Sequence, residues 1–339
     1  MILILTESFD AHADLVIERL KAKHAEYLRF ETADFPEKAG LEISLSEGVE
    51  KCSISLNGLK VDLRKIRAIW NRRPRPPKVS TRITPEYRQF ALEESTHALQ
   101  GLWRLSSDRF WVNRYIDNQI AANKPYQLHL ANELGFRTPK TLITNEPDLA
   151  LDFFEVCHGE MIFKCFTNSL STIYTTRVNK EDLTERAPEI RLSPCLFQEY
   201  VPKKVELRVT IIGHKIFTAE IHSQNSDRSK HDWRRYDIDK TPYYPHQLPA
   251  MLEDKIRQLM REMGLVFGCV DLVLTPANEY VFLEINPNGQ WYWIEDLTGM
   301  PLLDNFTEML IQGTPDYQES PSSSSLSNTD TRPRAAGQL

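Results

Sequence analysis

Residues 268–291 read GCVDLVLTPANEYVFLEINPNGQW, and the alternation on either side of Thr275-Pro-Ala-Asn-Glu279 predicts an antiparallel hairpin. In the first arm Val270, Leu272 and Leu274 fall on one side and Asp271 and Val273 on the other. In the second, Val281, Leu283 and Ile285 oppose Phe282, Glu284 and Asn286. Asp271, Glu284 and Asn286 then share a polar face while aliphatic partners bury the opposite one. Three hard oxygen donors suit Mg²⁺, which takes few ligands from the protein and the rest from water and nucleotide phosphates. A half-exposed hairpin with solvated acids explains the same alternation. The Asn286-Pro-Asn-Gly-Gln-Trp291 run that follows leaves the strand in a tight polar turn, where small side chains permit close approach to a phosphate.

Around this stretch the chain has 339 residues, 41% hydrophobic and 26% charged, which predicts an ordinary globular protein of two or three lobes. A formal charge of −6 gives no bulk electrostatic reason to bind nucleic acid. The five cysteines lack the paired spacing of a zinc site and read as reduced thiols. The opening MILILTESFD is too short an apolar run for a signal or membrane segment, so the expected compartment is the cytoplasm, with no membrane partner.

Residues 1–114 read as a first α/β domain: a buried strand at Ile2–Leu5, a helix over His12–Lys23 and short strands at Leu41–Leu45, Lys51–Leu56, Leu59–Val61 and Ile66–Trp70, with Gly48 and Gly58 at turns. No glycine-rich loop follows the first strand, so dinucleotide binding there is unsupported. Asn71-Arg-Arg-Pro-Arg-Pro-Pro77 ends the last of these strands, since proline cannot continue it, and holds Arg72 and Arg73 in a semi-rigid loop. Those arginines suit an anionic ligand or plain solvent. A long amphipathic helix spans Glu86–Leu105, and its apolar face would serve either internal packing or a homodimer.

Residues 115–200 form a second unit: a helix over Asn118–Leu134 stopped by Gly135, strands at Thr138–Thr144, Met161–Phe166, Ser171–Val178 and Cys195–Tyr200, and helices at Asp148–Cys157 and Lys180–Arg186. Residues 201–314 hold strands Val205–Ile212 and Lys215–His222, a polar loop over Gln224–Tyr244, a helix over Pro249–Met263 and the hairpin. The tail from Pro315, serine-rich and nearly free of apolar residues, is expected to be disordered.

Lys164 is embedded among Met161, Ile162, Phe163 and Phe166. A buried ammonium needs a compensating anion, and a triphosphate supplies one; a lysine that snorkels out of the sheet is the plain alternative. Gln198-Glu-Tyr-Val201 ends a strand whose freed backbone groups can pair with an adenine edge, with Glu206 one loop later for ribose hydroxyls. Glu206 and Arg208, two residues apart, share one face of the next strand. A surface salt-bridge ladder would show the same alternation, but not the order of the elements.

That order, a strand lysine, Gln-Glu-Tyr-Val, Glu-x-Arg, Asp271 and then Glu284-x-Asn286, resembles the ATP-grasp superfamily over roughly residues 115–312. The resemblance implies an ATP-grasp fold with an N-terminal pre-ATP-grasp α/β domain, a central lid-like subdomain and a C-terminal nucleotide- and magnesium-binding subdomain. It implies that Lys124 and Lys164 contact phosphates, that Gln198, Glu199, Tyr200 and Val201 line the adenine pocket, and that Glu206 meets ribose. Asp271, Glu284 and Asn286 would hold Mg²⁺, and Arg208 would face the phosphoryl or acyl group. ATP and Mg²⁺ are the implied cofactors.

A narrower resemblance spans nearly the whole chain. Trp70-Asn-Arg-Arg-Pro74, Glu94 with Gly101-Leu-Trp103, Trp111-Val-Asn113, Asn123-Lys124, Ala219-Glu-Ile-His-Ser-Gln224 and Asp232-Trp-Arg-Arg-Tyr236 are similar to the ring-forming ligases of microviridin-type peptides, the graspetide maturases. That family joins Asp or Glu side chains of a ribosomal precursor peptide to Thr/Ser hydroxyls or Lys amines. The resemblance implies that Phe166–Val178 and Lys180–Arg186 dock the precursor's leader. ATP would convert a side-chain carboxylate, a poor acyl donor, into an acyl phosphate, with magnesium and the lysines neutralising the transferring charge. Arg208 would hold the carboxylate and then the oxyanion. His222, whose ordinary pKa lies near neutrality, or Glu220 would deprotonate the attacking group, although a strand-end histidine more often makes only a surface hydrogen bond. The alternatives are a ligase of the same superfamily that adds amino acids to a protein or small molecule, and a non-catalytic nucleotide- or peptide-binding scaffold.

Overall fold

The computed structural model describes residues 1–46, 49–166, 175–225 and 241–318. The Gly48 turn, the Asp232-Trp-Arg-Arg-Tyr236 motif, most of the Gln224–Tyr244 loop, residues 171–174 of the expected hairpin and the tail beyond Gln318 lie outside them. No described helix is long and apolar enough to cross a membrane.

The first unit comprises β1 (Ile2–Leu5), α1 (Ala11–Ala22), β2 (Tyr27–Phe30), β3 (Ala39–Ser46), β4 (Val49–Leu56), β5 (Leu59–Asp62), β6 (Ala68–Asn71), α2 (Pro85–Leu105) and β7 (Phe110–Val112). A parallel sheet runs in the order β2-β1-β6-β7, and β3-β4-β5 form an antiparallel meander beside it. Parallel strands need both faces covered, which explains why β1 and β6 are uniformly buried. Asp10 caps α1, its Oδ1 accepting from the His12 and Ala13 amides. Neither β2 nor β7 was expected from the sequence.

Next come α3 (Tyr115–Ala121), α4 (Lys124–Glu133), β8 (Thr141–Thr144), α5 (Pro147–Val156), β9 (Met161–Lys164), β10 (Thr176–Val178), α6 (Lys180–Ile190) and β11 (Cys195–Glu199). The single helix expected over Asn118–Leu134 is two. Asn123 caps the second, accepting from the Tyr126 amide at 3.1 Å, and Pro125 sits in its first turn where its missing N–H costs nothing. The sequence groups 115–136 with the central subdomain, yet Ala121, Leu128, Ala131 and Phe136 pack into the core of the third unit. The sheet order is β10-β9-β11-β8, and α5 and α6 cover one face through Phe154, Leu183 and Ile190 on Met161 and Phe197.

The third unit is β12 (Val205–Ile212), β13 (Lys215–Ile221), β14 (Tyr243–His246), α7 (Ala250–Glu262), β15 (Phe267–Leu274), β16 (Tyr280–Asn286), α8 (Tyr292–Thr298) and α9 (Leu302–Gln312). Its antiparallel sheet runs β14-β13-β12-β15-β16. One face, with Leu207, Val209, Val270 and Leu272, packs on α7 and α4. The other meets the first unit in a continuous core where Ile4, Val16 and Trp70 join Phe267, Trp291, Phe306 and Met309. Ordered chain reaches past Pro315, where disorder was expected: Tyr317 is buried, and its hydroxyl donates to Asn305 Oδ1 at 3.0 Å.

Candidate active site

The hairpin of β15 and β16 carries the acids, and a bulge decides how. Asp271 stands opposite Glu284 and Cys269 opposite Asn286, but Leu272 stands opposite Phe282, so the pairing skips Leu283. Strict alternation along β16 therefore fails. Phe282 and Ile285 both enter the core with Val270 and Leu272, while Leu283 turns to the other face beside Val201, Val273 and Val281. Glu284 and Asn286 remain on the face of Asp271. Because β16 is an edge strand, its outer backbone groups need partners from elsewhere. Gln127 of α4 supplies both for Ile285, its Nε2 donating to the carbonyl at 2.8 Å and its Oε1 accepting from the amide at 3.0 Å.

Each acid has a cation. Arg208 Nη1 is 2.9 Å from Asp271 Oδ1, and its Nη2 donates to the Gln290 carbonyl at 2.7 Å. Lys124 Nζ lies 3.0 Å from Glu284 Oε2 and donates to the Cys165 carbonyl at 2.9 Å. That second contact joins the sheets, for Cys165 follows Lys164 at the end of β9. Lys164 pairs with Leu196, and Ile162 with Gln198, so these four share the face of the central sheet turned away from α5 and α6. Gln198 is buried, donating to Thr141 Oγ1 at 2.9 Å.

At the end of β11 the Glu199 and Tyr200 amides are taken by the Lys140 and Glu160 carbonyls, at 3.0 and 2.7 Å, and the Tyr200 ring carries the Arg177 guanidinium 4.0 Å above its centre. The Glu199 side chain alternates to the helix-covered face. Of the four residues expected at adenine, Gln198 thus lies on the sheet face of Lys164, and Val201 packs with Val273 and Val281. Glu206 is buried on the Arg208 face, with Lys203 Nζ 2.6 Å from its Oε1; Lys203 was not expected there.

Of the two expected bases, Glu220 lies on the sheet face opposite Arg208 and holds His222. Across β12 and β13 the partner of Arg208 is Ala219, whereas Glu220 faces Leu207 on the side packed against α7. One Glu220 oxygen lies 2.9 Å from His222 Nε2 and the other 2.7 Å from His246 Nδ1, and His246 Nε2 reaches the Tyr280 hydroxyl at 3.0 Å. Burial works to raise the Glu220 pKa, but the two imidazoles prevail and hold it below the ordinary carboxylate range. A two-residue offset places side chains on one face only while the strand phase is known, and the motif gave no phase.

Sequence reading did not assign Asn113 or His12 to the support of the 286–291 turn. Asn113 is buried between the units; its Nδ2 donates to the Phe267 and Pro287 carbonyls at 2.9 and 3.1 Å, while its Oδ1 accepts from the Val266 and Phe267 amides. His12 Nε2 accepts from the Trp291 and Tyr292 amides, both at 3.2 Å. Burial, followed by the charge of Arg72, pushes the His12 pKa down to about 3, which keeps the ring neutral and able to accept. Asn113 ends the Trp111-Val-Asn113 stretch quoted above but had no role attached to it, and His12 stands in no motif, so only burial could have drawn attention to their bracing.

No group of three His, Cys, Asp or Glu side chains among the described residues is arranged to hold a metal unaided. Two carboxylates and an amide, all oxygen donors, nevertheless fit a Mg²⁺ that draws its remaining ligands from phosphate and water. A lysine strand tied through Lys124 to a hairpin whose two acids are each neutralised by lysine or arginine is the arrangement of an ATP-grasp ligase.

The comparisons narrow that class. Residues 1–119 match the MvdD pre-ATP grasp domain. No curated protein sequence matches the chain. Among solved structures, the macrocyclase MdnB from Microcystis aeruginosa MRC is 32% identical, with a TM-score of 0.77 over 92% of this chain and 99% of that one. Macrocyclase MdnC of the same organism, bound with precursor peptide MdnA, is 29% identical over 92% and 99% with a TM-score of 0.79. A Chryseobacterium gregarium RiPP-associated ATP-grasp ligase, in complex with ADP and a leader and core peptide, is 27% identical over 94% and 99% with a TM-score of 0.83. The chain belongs to the microviridin-type ATP-grasp ligases, the graspetide maturases.

Proposed function

We propose that this enzyme activates Asp or Glu side chains of a ribosomal precursor peptide with ATP and closes them onto Thr/Ser hydroxyls or Lys amines. The observation that carries the reading is Lys124, which ties Glu284 to the Cys165 carbonyl and so brings the lysine strand against the acids. Lys124 and Lys164 neutralise phosphate oxygens, and Gln198 and Val201 bound the adenine, whose base rests on the apolar patch of Val201, Val273, Val281 and Leu283. The Val201 amide, which makes no hydrogen bond among the described residues, is the backbone donor available to the base. Glu206 accepts from the ribose hydroxyls.

Asp271, Glu284 and Asn286 would hold Mg²⁺, which would supply charge neutralisation for phosphoryl transfer. Arg208, beside Asp271, would hold the substrate carboxylate in line and then donate to the oxyanion formed by attack on the acyl phosphate. The described residues of β10 and α6 dock the leader. The purified chain with ATP, Mg²⁺ and a leader-bearing peptide should yield products lighter by one water per bond. A gain of mass would indicate addition of an amino acid, and ATP turnover without peptide change would leave only a nucleotide site.

A further inference from the structure

Arg72 belongs to the first unit, yet its side chain ends beneath the turn that follows β16. It is almost wholly buried at 2% exposure, Nε donating to Asp10 Oδ2 at 3.2 Å and Nη1 to the Asn288 carbonyl at 2.7 Å. Two residues further on, the Gln290 carbonyl receives Arg208 Nη2. The Asn288 amide donates to Asn286 Oδ1 at 3.0 Å. Residue 288 is therefore held at its carbonyl by Arg72 while its N–H orients the side-chain amide of Asn286. The intervening Gly289 leaves no slack, since a Cβ there would lie 2.6 Å from both Arg208 Nη2 and the Cys269 Cβ.

We propose that Arg72, anchored by Asp10, is a positioning residue of the metal site: it fixes the 286–290 turn so that the Asn286 amide faces Mg²⁺ and Arg208 stays aligned. The proposal rests on the metal role given above to Asn286. A guanidinium suits the task because its planar fork reaches the carboxylate through Nε and the carbonyl through Nη1, two separate nitrogens held in one rigid plane, where a lysine offers a single nitrogen. The competing account is that Arg72 only balances the buried charge of Asp10. Buried ion pairs add little net stability, but removing one member leaves the other uncompensated.

The two accounts separate in the Asp10→Asn/Arg72→Ala double variant, which removes both charges and avoids the unfolding risk of Arg72→Ala alone. The readouts are ADP affinity by calorimetry with Mg²⁺ and with EDTA, and the melting temperature, in the full chain. A positioning role predicts that Mg²⁺-dependent strengthening of ADP binding falls by about tenfold or more in the double variant and in Arg72→Lys, the size typical when a partner that orients a metal ligand is removed. Affinity in EDTA stays within about twofold, as the lost contact acts through the metal. A double variant that keeps the wild-type Mg²⁺ effect overturns the proposal, as does a wild-type chain whose ADP binding ignores Mg²⁺. No peptide enters the measurement, so a failure to close rings speaks only against the peptide reading.

Discussion

Glu284 sits between two demands, since it faces Asp271 across the hairpin and holds the Lys124 ammonium. Replacing it with glutamine keeps the shape and removes the charge. ATP turnover should fall by about 10²-fold or more, the range seen when one preorganised electrostatic contact is lost, with the melting temperature little changed; coupled ADP-release assays and calorimetry read the two. Gly289→Ala acts differently, because its Cβ must displace Arg208 or Cys269. Overpacking of this kind costs about 1–3 kcal/mol, so urea unfolding should show lower stability together with lost turnover. Asp10 bears on pH. Burial tends to raise its pKa, but Arg72, the Thr6 hydroxyl, Arg73 and the Ala13 amide outweigh burial and lower it below 3.8. A depressed carboxylate contributes stability above its unfolded pKa and loses it as pH falls through the folded one. Below about pH 4, wild-type stability should therefore drop more steeply than that of Asp10→Asn, which keeps the helix cap; urea midpoints at pH 3 and 6 measure the difference.

Among elements, β16 shows most plainly how much its sequence reveals. Its alternation is enough to predict a strand and to put Glu284 and Asn286 together. It cannot reveal the bulge, which depends on how Leu272 and Phe282 pair across the hairpin. Phe282 is buried against Phe136, ring centres 5.4 Å apart, whereas Leu283 lines the apolar patch by Val201. Phe282→Ala should cost about 3–5 kcal/mol in chemical denaturation, and Leu283→Ala should weaken ATP binding with a smaller stability loss. Unbroken alternation would give the reverse. The same limit explains Glu220: its motif was recognisable, but the face it occupies followed from pairing with Leu207.

Across the whole molecule, the first and third units share one core, with Trp70 and Phe306 ring centres 4.9 Å apart and Lys23 on the nearly buried Glu308 at 2.6 Å. They should unfold in a single calorimetric transition, and two resolved transitions assigned to them would contradict that coupling. Ending the chain at Gly313 should lower the transition temperature, because it removes the buried Tyr317 and its bond to Asn305.

From the sequence alone came the α/β class, the order lysine strand, Gln-Glu-Tyr-Val, Glu-x-Arg and paired acids, and through that order the resemblance to graspetide ligases. These are local or ordinal properties, set by side-chain periodicity and by the chemistry a phosphate and a metal demand. Tertiary structure decided which face each residue occupies, that Lys124 closes the two sheets together, and that Asp10, His12, Arg72 and Asn113 brace the turn beneath the acids. Several of those contacts, such as Lys124 with Glu284 and Arg72 with Asn288, join residues more than a hundred positions apart, and strand register, bulges and burial arise only when separate segments pair.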